Sequence, residues 1–512
     1  MPRAEPRVVP KNGVRAPNEP PEAAAEDVVG EATGNCGPWQ WRLTAALSLF
    51  YLPSTWHMTA ITFQTVTPPF HCEGQPEVGC PASNLTDNFT ETCERWVFNL
   101  TDGETIVSEW QLVCERAALI NVSMMAFLLG VTIGGLVSGV VSDRFGRRKT
   151  LAIFLAIQIA VGTGIAFVPW LWLFMALRFC LGWSCVSVVF SAFVLCMEVV
   201  GGRWRTVAGV SFHYPVPLGY LSVALFAYLL PEWRHLQLAC ALPALLLFVV
   251  VYHLPESPRW LLAVGNQARL TRTLRRASKV NRRIFNVEQV ERAFVTAEGE
   301  EVARSEQENL LSLLSTPRIR RISLLVYAQW FALYLSYFGL VLNLGNIEGQ
   351  IHLNTVISGL VELPAIALST PLLLRHGRRI PLVATMAAGG LFCILATIVP
   401  DSHAYKENLT LGLVMMGRFA FSFPWVILPV FTAELFPTVV RNMGVGSANL
   451  AAGIALLLVP NLWNLAAVWE GLPLFVLGIL SILGGASVML LPETANKALP
   501  NTIEELEMFD KK

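Results

Sequence analysis

The sequence predicts an all-α membrane protein of twelve transmembrane helices in two six-helix repeats. Three observations carry this. Of 512 residues, 54% are hydrophobic and only 14% are charged, against about 25% charged in a soluble protein. Stretches of roughly 20 apolar residues recur along the chain, the length that crosses a ~30 Å hydrocarbon core. Short charged motifs at the ends of these stretches occur twice, at a nearly constant offset. The formal net charge is zero, so partners follow from where the charges lie and not from their sum.

Twelve spans are read at 42–64, 117–141, 149–169, 171–194, 207–230, 236–254, 322–343, 352–374, 380–400, 409–432, 443–465 and 472–491. Backbone groups in lipid must be satisfied within the segment, so spans of this length are helices. The fifth, 207–230, is the least regular because it contains Pro215 and Pro217. Residues 1–35 are rich in Pro, Ala and Glu and lack an apolar core of the signal-peptide kind. They read as a disordered tail. The chain thus divides into an N-terminal six-helix half (36–254) with a large loop at 65–116, a connecting loop (255–321), a C-terminal half (322–491) and a tail (492–512).

Lys and Arg set the orientation. One set of loops holds "SDRFGRRK" (142–149), Arg203, Arg205, "RTLRRASK" and "RIRR" within 255–321, "RHGRR" (375–379) and Arg441. The alternate loops hold only Arg95, Arg234 and Lys406, with Arg116 at a border. The positive-inside rule places the first set, and both termini, in the cytoplasm. The 65–116 loop supports this independently. It carries Cys72, Cys80, Cys93 and Cys114 and the glycosylation sequons at Asn84, Asn88 and Asn99, which suit an oxidising outer compartment. Four cysteines allow three pairings, and spacing does not choose among them.

The repeat is read from three motif pairs. "DRFGRR" (143–148) matches "LRHGRR" (374–379), with 231 residues from Arg144 to Arg375. "MEVVGGRWR" and "AELFPTVVR" place Glu198 and Glu434 seven residues before Arg205 and Arg441. "LPES" (254–257) matches "LPET" (491–494). The pairs follow the second and eighth, fourth and tenth, and sixth and twelfth spans. Two parallel six-helix repeats describe a secondary transporter whose substrate site lies at the midplane between rocking halves.

"GVVSDRFGRRK" resembles the signature loop of the major facilitator superfamily. The cysteine-rich first outer loop, "WRHLQLA", "LPESPRWLL", "AELFPTVVRNMGV" and "LPET…LPNTIEELE" resemble, almost end to end, the organic-ion solute carriers: the organic cation, organic anion and carnitine transporters. "PSTWHMTAITF" and a first outer loop that is short for that family resemble invertebrate members. The resemblance implies facilitative or ion-coupled movement of small organic ions across the plasma membrane by alternating access.

The charge run then has a role beyond topology. Asp143 ends the second helix, where the helix dipole is already negative, so its carboxylate needs a positive partner. The resemblance implies that the partner is the N-terminus of the eleventh helix, near Met443–Gly446, and that this contact closes the cytoplasmic side. Arg144, Gly146, Arg147, Arg148, Glu198, Arg205, Arg375, Arg378, Glu434 and Arg441 complete this inner gate. A topology signal alone needs Lys or Arg, but neither Asp143 nor a glycine in both copies.

Glu362, in "VISGLVELPAIAL", is an ionisable group in mid-membrane and hence a candidate substrate ligand. Trp330, Tyr334 and Tyr337 recur at helical spacing in the seventh span, and Phe421 and Trp425 in the tenth. Aromatic faces of this kind attract protonated amines by ~0.5–2 kcal/mol each. By resemblance Trp330, Tyr337 and Trp425 align with substrate-contact positions. Tyr334 joins the candidate set, although helix packing is the simpler role for it and for Phe421. Arg178 and Arg418 are cavity charges or structural pairs, and His57 and His213 are read as hydrogen-bonded structural residues. In the resembled family the eleventh helix presents an acid in cation transporters and an arginine in anion and carnitine transporters, at the position of Gly453 here. Leu333 and Val186 likewise replace charges. The cavity therefore favours an organic cation or a zwitterion, such as an amine or a carnitine-like compound, with Glu362 its main acid.

Other classes lack their motifs. There is no nucleotide-binding G-x-x-x-x-G-K-[ST], no H-E-x-x-H and no G-x-S-x-G, and the eight His are scattered. No enzyme, metal, cofactor or nucleic-acid partner is expected, and the oligomeric state is not read. An organic anion transporter, or a non-transporting receptor or scaffold on the same fold, remains the alternative, the latter because of Gly453. Ser278 in "RRAS" and Ser323 in "RRIS" match short kinase motifs that often occur by accident.

Overall fold

The computed structural model describes residues 30, 32–73, 80, 93, 95–101, 103–202, 204–287, 313–347, 349–400, 405–437, 440–494 and 506, apart from the side chains of 441 and 442. Asn84, Asn88 and the Arg441 side chain therefore lie outside the described residues. Ten helices, from Cys114–Phe145 to Met443–Ala467, are long and apolar enough to cross a membrane. Leu472–Val488 is the last span. The first is split into Pro38–Ser48 and Tyr51–Gln64, which brings the spans to twelve.

Proline explains the irregular spans. Pro53 has no N–H to offer the Leu49 carbonyl, and its ring crowds that turn. The first span is accordingly interrupted at Leu49–Phe50. The fifth span is Trp204–Ser211 followed by Pro215–Leu229, broken just ahead of Pro215. The second span, Ala118–Phe145, runs past the expected limit at 141 and carries the Asp143 turn with it.

Both halves build the same inner corner. The second helix ends at Gly146 (φ 93°, ψ 152°) and the eighth at Gly377 (φ 78°, ψ −159°), a region that essentially only glycine occupies. A Cβ on Gly146 would lie 2.7 Å from Glu256 Oε2, and one on Gly377 would lie 2.8 Å from Glu493 Oε2. The two glutamates belong to the "LPES" and "LPET" motifs. Glu256 accepts the Arg148 backbone N–H at 3.0 Å, and Glu493 accepts those of Arg378 and Arg379 at 3.0 and 2.9 Å. Each carboxylate thus caps the N-terminus of the next helix, where the dipole favours negative charge. In return Arg148 donates to the Val251 and Tyr252 carbonyls at the end of the sixth span, and Arg379 donates to Met489 O at the end of the twelfth.

The outer loop is a cap on the N-terminal half. The cysteines pair as Cys72–Cys93 and Cys80–Cys114, and strands Phe70–Cys72 and Trp96–Phe98 pair antiparallel. Asn99 is exposed on this cap. The short helix Ile106–Trp110 ties the cap down. Glu109 accepts from Trp233 Nε1 at 2.7 Å and pairs with Arg234. This accounts for the "WRHLQLA" motif.

On the inner side, helix Gln267–Val280 holds the segment that precedes the first span. Ser278 donates to Ala32 O at 2.6 Å, and Asn281 donates to Thr33 O and to Gln40 Oε1 at 2.8 Å each. The end of the expected disordered tail is therefore docked, while residues 1–29 lie outside the described part. Ser278 and Ser323 are 1% and 0% exposed, so neither kinase motif presents its serine.

Replacing Gly146 or Gly377 with alanine forces a side chain into the Gly-only region and onto the glutamate. Each substitution is expected to cost about 1–3 kcal/mol, read as a lower thermal midpoint of the purified protein, with similar losses in the two copies.

Candidate functional site

The core of the site is an ion pair buried at the midplane of the C-terminal half. Glu362 sits on the eighth span (Ile351–His376) and Arg418 on the tenth (Lys406–Leu435). They are 0% and 1% exposed. Arg418 Nη2 meets Glu362 Oε2 at 2.7 Å, and Arg418 Nε donates to Ser358 Oγ, one turn before Glu362, at 3.2 Å. Tyr337, on the seventh span (Pro317–Leu342), donates its hydroxyl to Glu362 Oε1 at 2.7 Å. Two charges taken out of water cost several kcal/mol each. Here both are offset, the carboxylate by two donors and the guanidinium by a carboxylate, a hydroxyl and a ring.

That ring is Tyr337. The Arg418 guanidinium lies 3.8 Å from its centroid, and Trp425 stacks on it at 4.6 Å with an 11° interplanar angle. Arg418 and Trp425 are two turns apart on one helix, so they clamp the Tyr337 ring from its two faces. The expectation that Tyr337 offers a free face to a substrate cation is corrected: the protein's own arginine occupies it. Trp330 is also closed off, 3% exposed, with Nε1 donating to Thr432 Oγ1 at 2.8 Å and its ring stacked on Tyr334. Tyr334 and Trp425 keep partial exposure and meet at 5.1 Å. They present the accessible aromatic surface of the group.

The N-terminal half completes the site with Tyr220 and Tyr51, which sequence reasoning missed, and with His213. The Tyr220 hydroxyl lies 3.4 Å from that of Tyr337, and its ring lies under Arg418 at 5.5 Å. His213, held by Gly209 O, faces Trp425 at 6.4 Å and Tyr51 at 5.6 Å. The only available signal was charge balance, since a buried acid demands a cation and Arg418 was the cation of that half at membrane depth. Tyr51 and Tyr220 carry no local mark. Phe421 is 0% exposed and packs on Gly389, the packing role expected of it.

Gly453 requires a correction. A Cβ there would lie 2.2 Å from Thr132 Cγ2. The residue is a close-approach point between the second and eleventh spans and not a neutral wall of the cavity. Leu333 is likewise buried in the core, 1% exposed.

The gate residues fall into two groups. Arg147 holds Glu198 (Nη2–Oε1 2.8 Å), and Arg378 holds Glu434 (2.9 Å), the same pair in each half. Asp143, 72% exposed, pairs with Arg147 one turn on at 2.8 Å. Among the described residues the partner of the Asp143 carboxylate is Arg147, and no hydrogen bond joins it to Met443–Gly446, the expected closing contact. The halves meet farther out. Asn121 donates to Asn461 and Asn464 at 3.3 and 3.4 Å, and Phe63 meets His352 at 5.2 Å. These contacts join the halves on the outer side. Arg144 and Arg375 are exposed, and Arg205 donates to Val200 O.

The sugar (and other) transporter family matches residues 87–506. The xylose transporter XylE in complex with 6-bromo-6-deoxy-D-glucose superposes with a TM-score of 0.66 at 20% identity, covering 92% of this chain and 98% of that one. The chain has the major facilitator fold and is a membrane transporter, not an enzyme. An organic cation transporter protein of Drosophila melanogaster is 32% identical over 94% of both chains. Organic anion transporter 3 of Sus scrofa is 30% identical over 94% of this chain and 93% of its own. Organic cation transporter 1 of Caenorhabditis elegans is 34% identical over 81% and 71%. The chain belongs to the organic-ion solute carriers of the major facilitator superfamily.

Removing one partner of the buried pair strands the other. Glu362→Leu is expected to destabilise the protein by about 3–5 kcal/mol, and the double change with Arg418→Met to recover most of that. Thermal unfolding of the purified variants checks both outcomes.

Proposed function

We propose that the chain moves small organic ions across the plasma membrane by alternating access, with both termini cytoplasmic, and prefers cations and zwitterions to anions. The observation that carries this reading is the Glu362 carboxylate at the midplane, joined through Tyr337 to the partly exposed ring of Trp425, which meets Tyr334. A protonated amine approaching these rings meets π faces and a nearby negative charge, two attractions that add in a low-dielectric site. Arg418 restrains that charge until the substrate competes for it. The names of the relatives, organic cation transporters among them, support the same reading. Arg418 favours a second reading, organic anion transport, because its Nη1 is buried without a hydrogen-bond partner, and one relative is an organic anion transporter.

The inner charges act as the gate in this reading. In this structure Asp143 rests on Arg147. When the inner side closes, it exchanges part of that bond for the N-terminus of the eleventh span. A contact of this kind is weak enough to break in each cycle.

Uptake of one labelled amine and one labelled carboxylate into cells expressing the chain decides between the two readings. Wild type is expected to favour the amine. Glu362→Gln, which keeps the shape and the Tyr337 bond, is expected to lower amine uptake about tenfold or more at matched surface expression. Better uptake of the carboxylate would select the anion reading, and intact amine uptake in Glu362→Gln would overturn the role of Glu362 in the cation preference.

Asp143→Asn leaves Arg147 on Glu198 and removes both the exposed Asp143–Arg147 pair, worth little at the surface, and the closing contact. Turnover is expected to fall several-fold at normal surface expression, with a cysteine placed on the inner cavity wall labelled faster than in wild type.

A further inference from the structure

The N-terminal half contains a second buried arginine, and its surroundings differ from those of the first. Arg178, like Arg418, opens an "RF" dipeptide in its half, on the fourth span where Arg418 lies on the tenth. The 231-residue offset between the second and eighth spans carries Ser358 and Glu362, the two acceptors of Arg418, back to Phe127 and Val131. The arginine is repeated, and its acceptors are not. Arg178 is 1% exposed and lies 4.8 Å over the Phe127 ring. Among the described residues no carboxylate pairs with it, and its Nε and Nη1 have no hydrogen-bond partner.

Two other buried polar groups share this condition at the same depth. Both ring nitrogens of His57 and both amide atoms of Gln158 lack partners, and the two residues are 1% and 0% exposed. His57, Gln158 and Arg178 each stand seven residues from the outer end of their helices, Tyr51–Gln64, Arg147–Ile165 and Leu171–Val199, about 10 Å deep. A Cβ on Gly162 would lie 3.1 Å from the His57 ring, and Gln158 is one turn below Gly162 on the same face. Ser54, one turn before His57, donates to Cys185 O at 3.2 Å on the helix of Arg178.

We propose that Arg178, Gln158 and His57 bind a small inorganic anion of halide size inside the N-terminal half. The guanidinium supplies the charge and two N–H donors, the Gln158 amide a third, and the His57 imidazole a fourth. A buried cation needs a counter-charge, and neither water nor the Phe127 ring provides a full one. The rings beside Arg178, Phe127 and Phe174, are 2% and 0% exposed, surroundings that suit a small inorganic anion and not an organic ion. The site is separate from the Glu362–Arg418 pair and does not depend on which organic ion is carried.

The test is thermal unfolding of the full chain in detergent, titrated with sodium chloride against sodium gluconate at constant ionic strength. The midpoint is expected to rise saturably with chloride, and with bromide, but not with gluconate. Gln158→Leu is expected to raise the half-saturating chloride concentration about tenfold, and Arg178→Gln to abolish the response. If Arg178→Gln does not fold, Gln158→Leu and His57→Phe carry the test. Equal wild-type midpoints in chloride and gluconate overturn the proposal, as does a chloride response unchanged in Gln158→Leu.

Discussion

An ionised group inside a membrane must find its partner within the protein, and the C-terminal half is arranged around that requirement. Glu362 cannot remain charged at 0% exposure without Arg418, and the two sit on different helices. Their 2.7 Å contact therefore sets the separation of the eighth and tenth spans. Tyr337 completes the arrangement by donating to the acid while its ring lies between Arg418 and Trp425. Three helices are thus registered by one buried charge. The partly exposed surface of Tyr334 and Trp425 is what this packing leaves for a ligand.

The inner corners solve a different problem, that of ending long helices at a water boundary. Each half uses glycine to turn, glutamate to cap the next helix and arginine to cap the last carbonyls of another. The two copies agree closely because the physics of the boundary is the same for both. The midplane is where they diverge. Ser358 and Glu362 have Phe127 and Val131 as their counterparts, so one half holds a compensated pair and the other a lone cation. The rims of the repeat preserve its rigid units, and the centre carries its chemistry.

Much of the architecture was legible in the residues. Apolar length yielded the spans, and the paired motifs yielded the repeat, because such signals are local. The candidate site was legible only in part. Glu362 stood out as an acid at membrane depth, and the aromatics at helical spacing. Tyr220, Tyr51 and Ser358 did not, since nothing near them in the chain marks them.

By itself, the sequence determined what can cross a membrane and that a carboxylate had to be accommodated at depth. Each follows from transfer energies of single segments. Only the tertiary structure decided partners. It assigned Arg418 to Glu362, covered the Tyr337 ring, paired Cys72 with Cys93, and set Gly453 against Thr132. Each of these joins residues from separate parts of the chain. Which of them meet depends on how helices pack in space, a property that no segment carries alone.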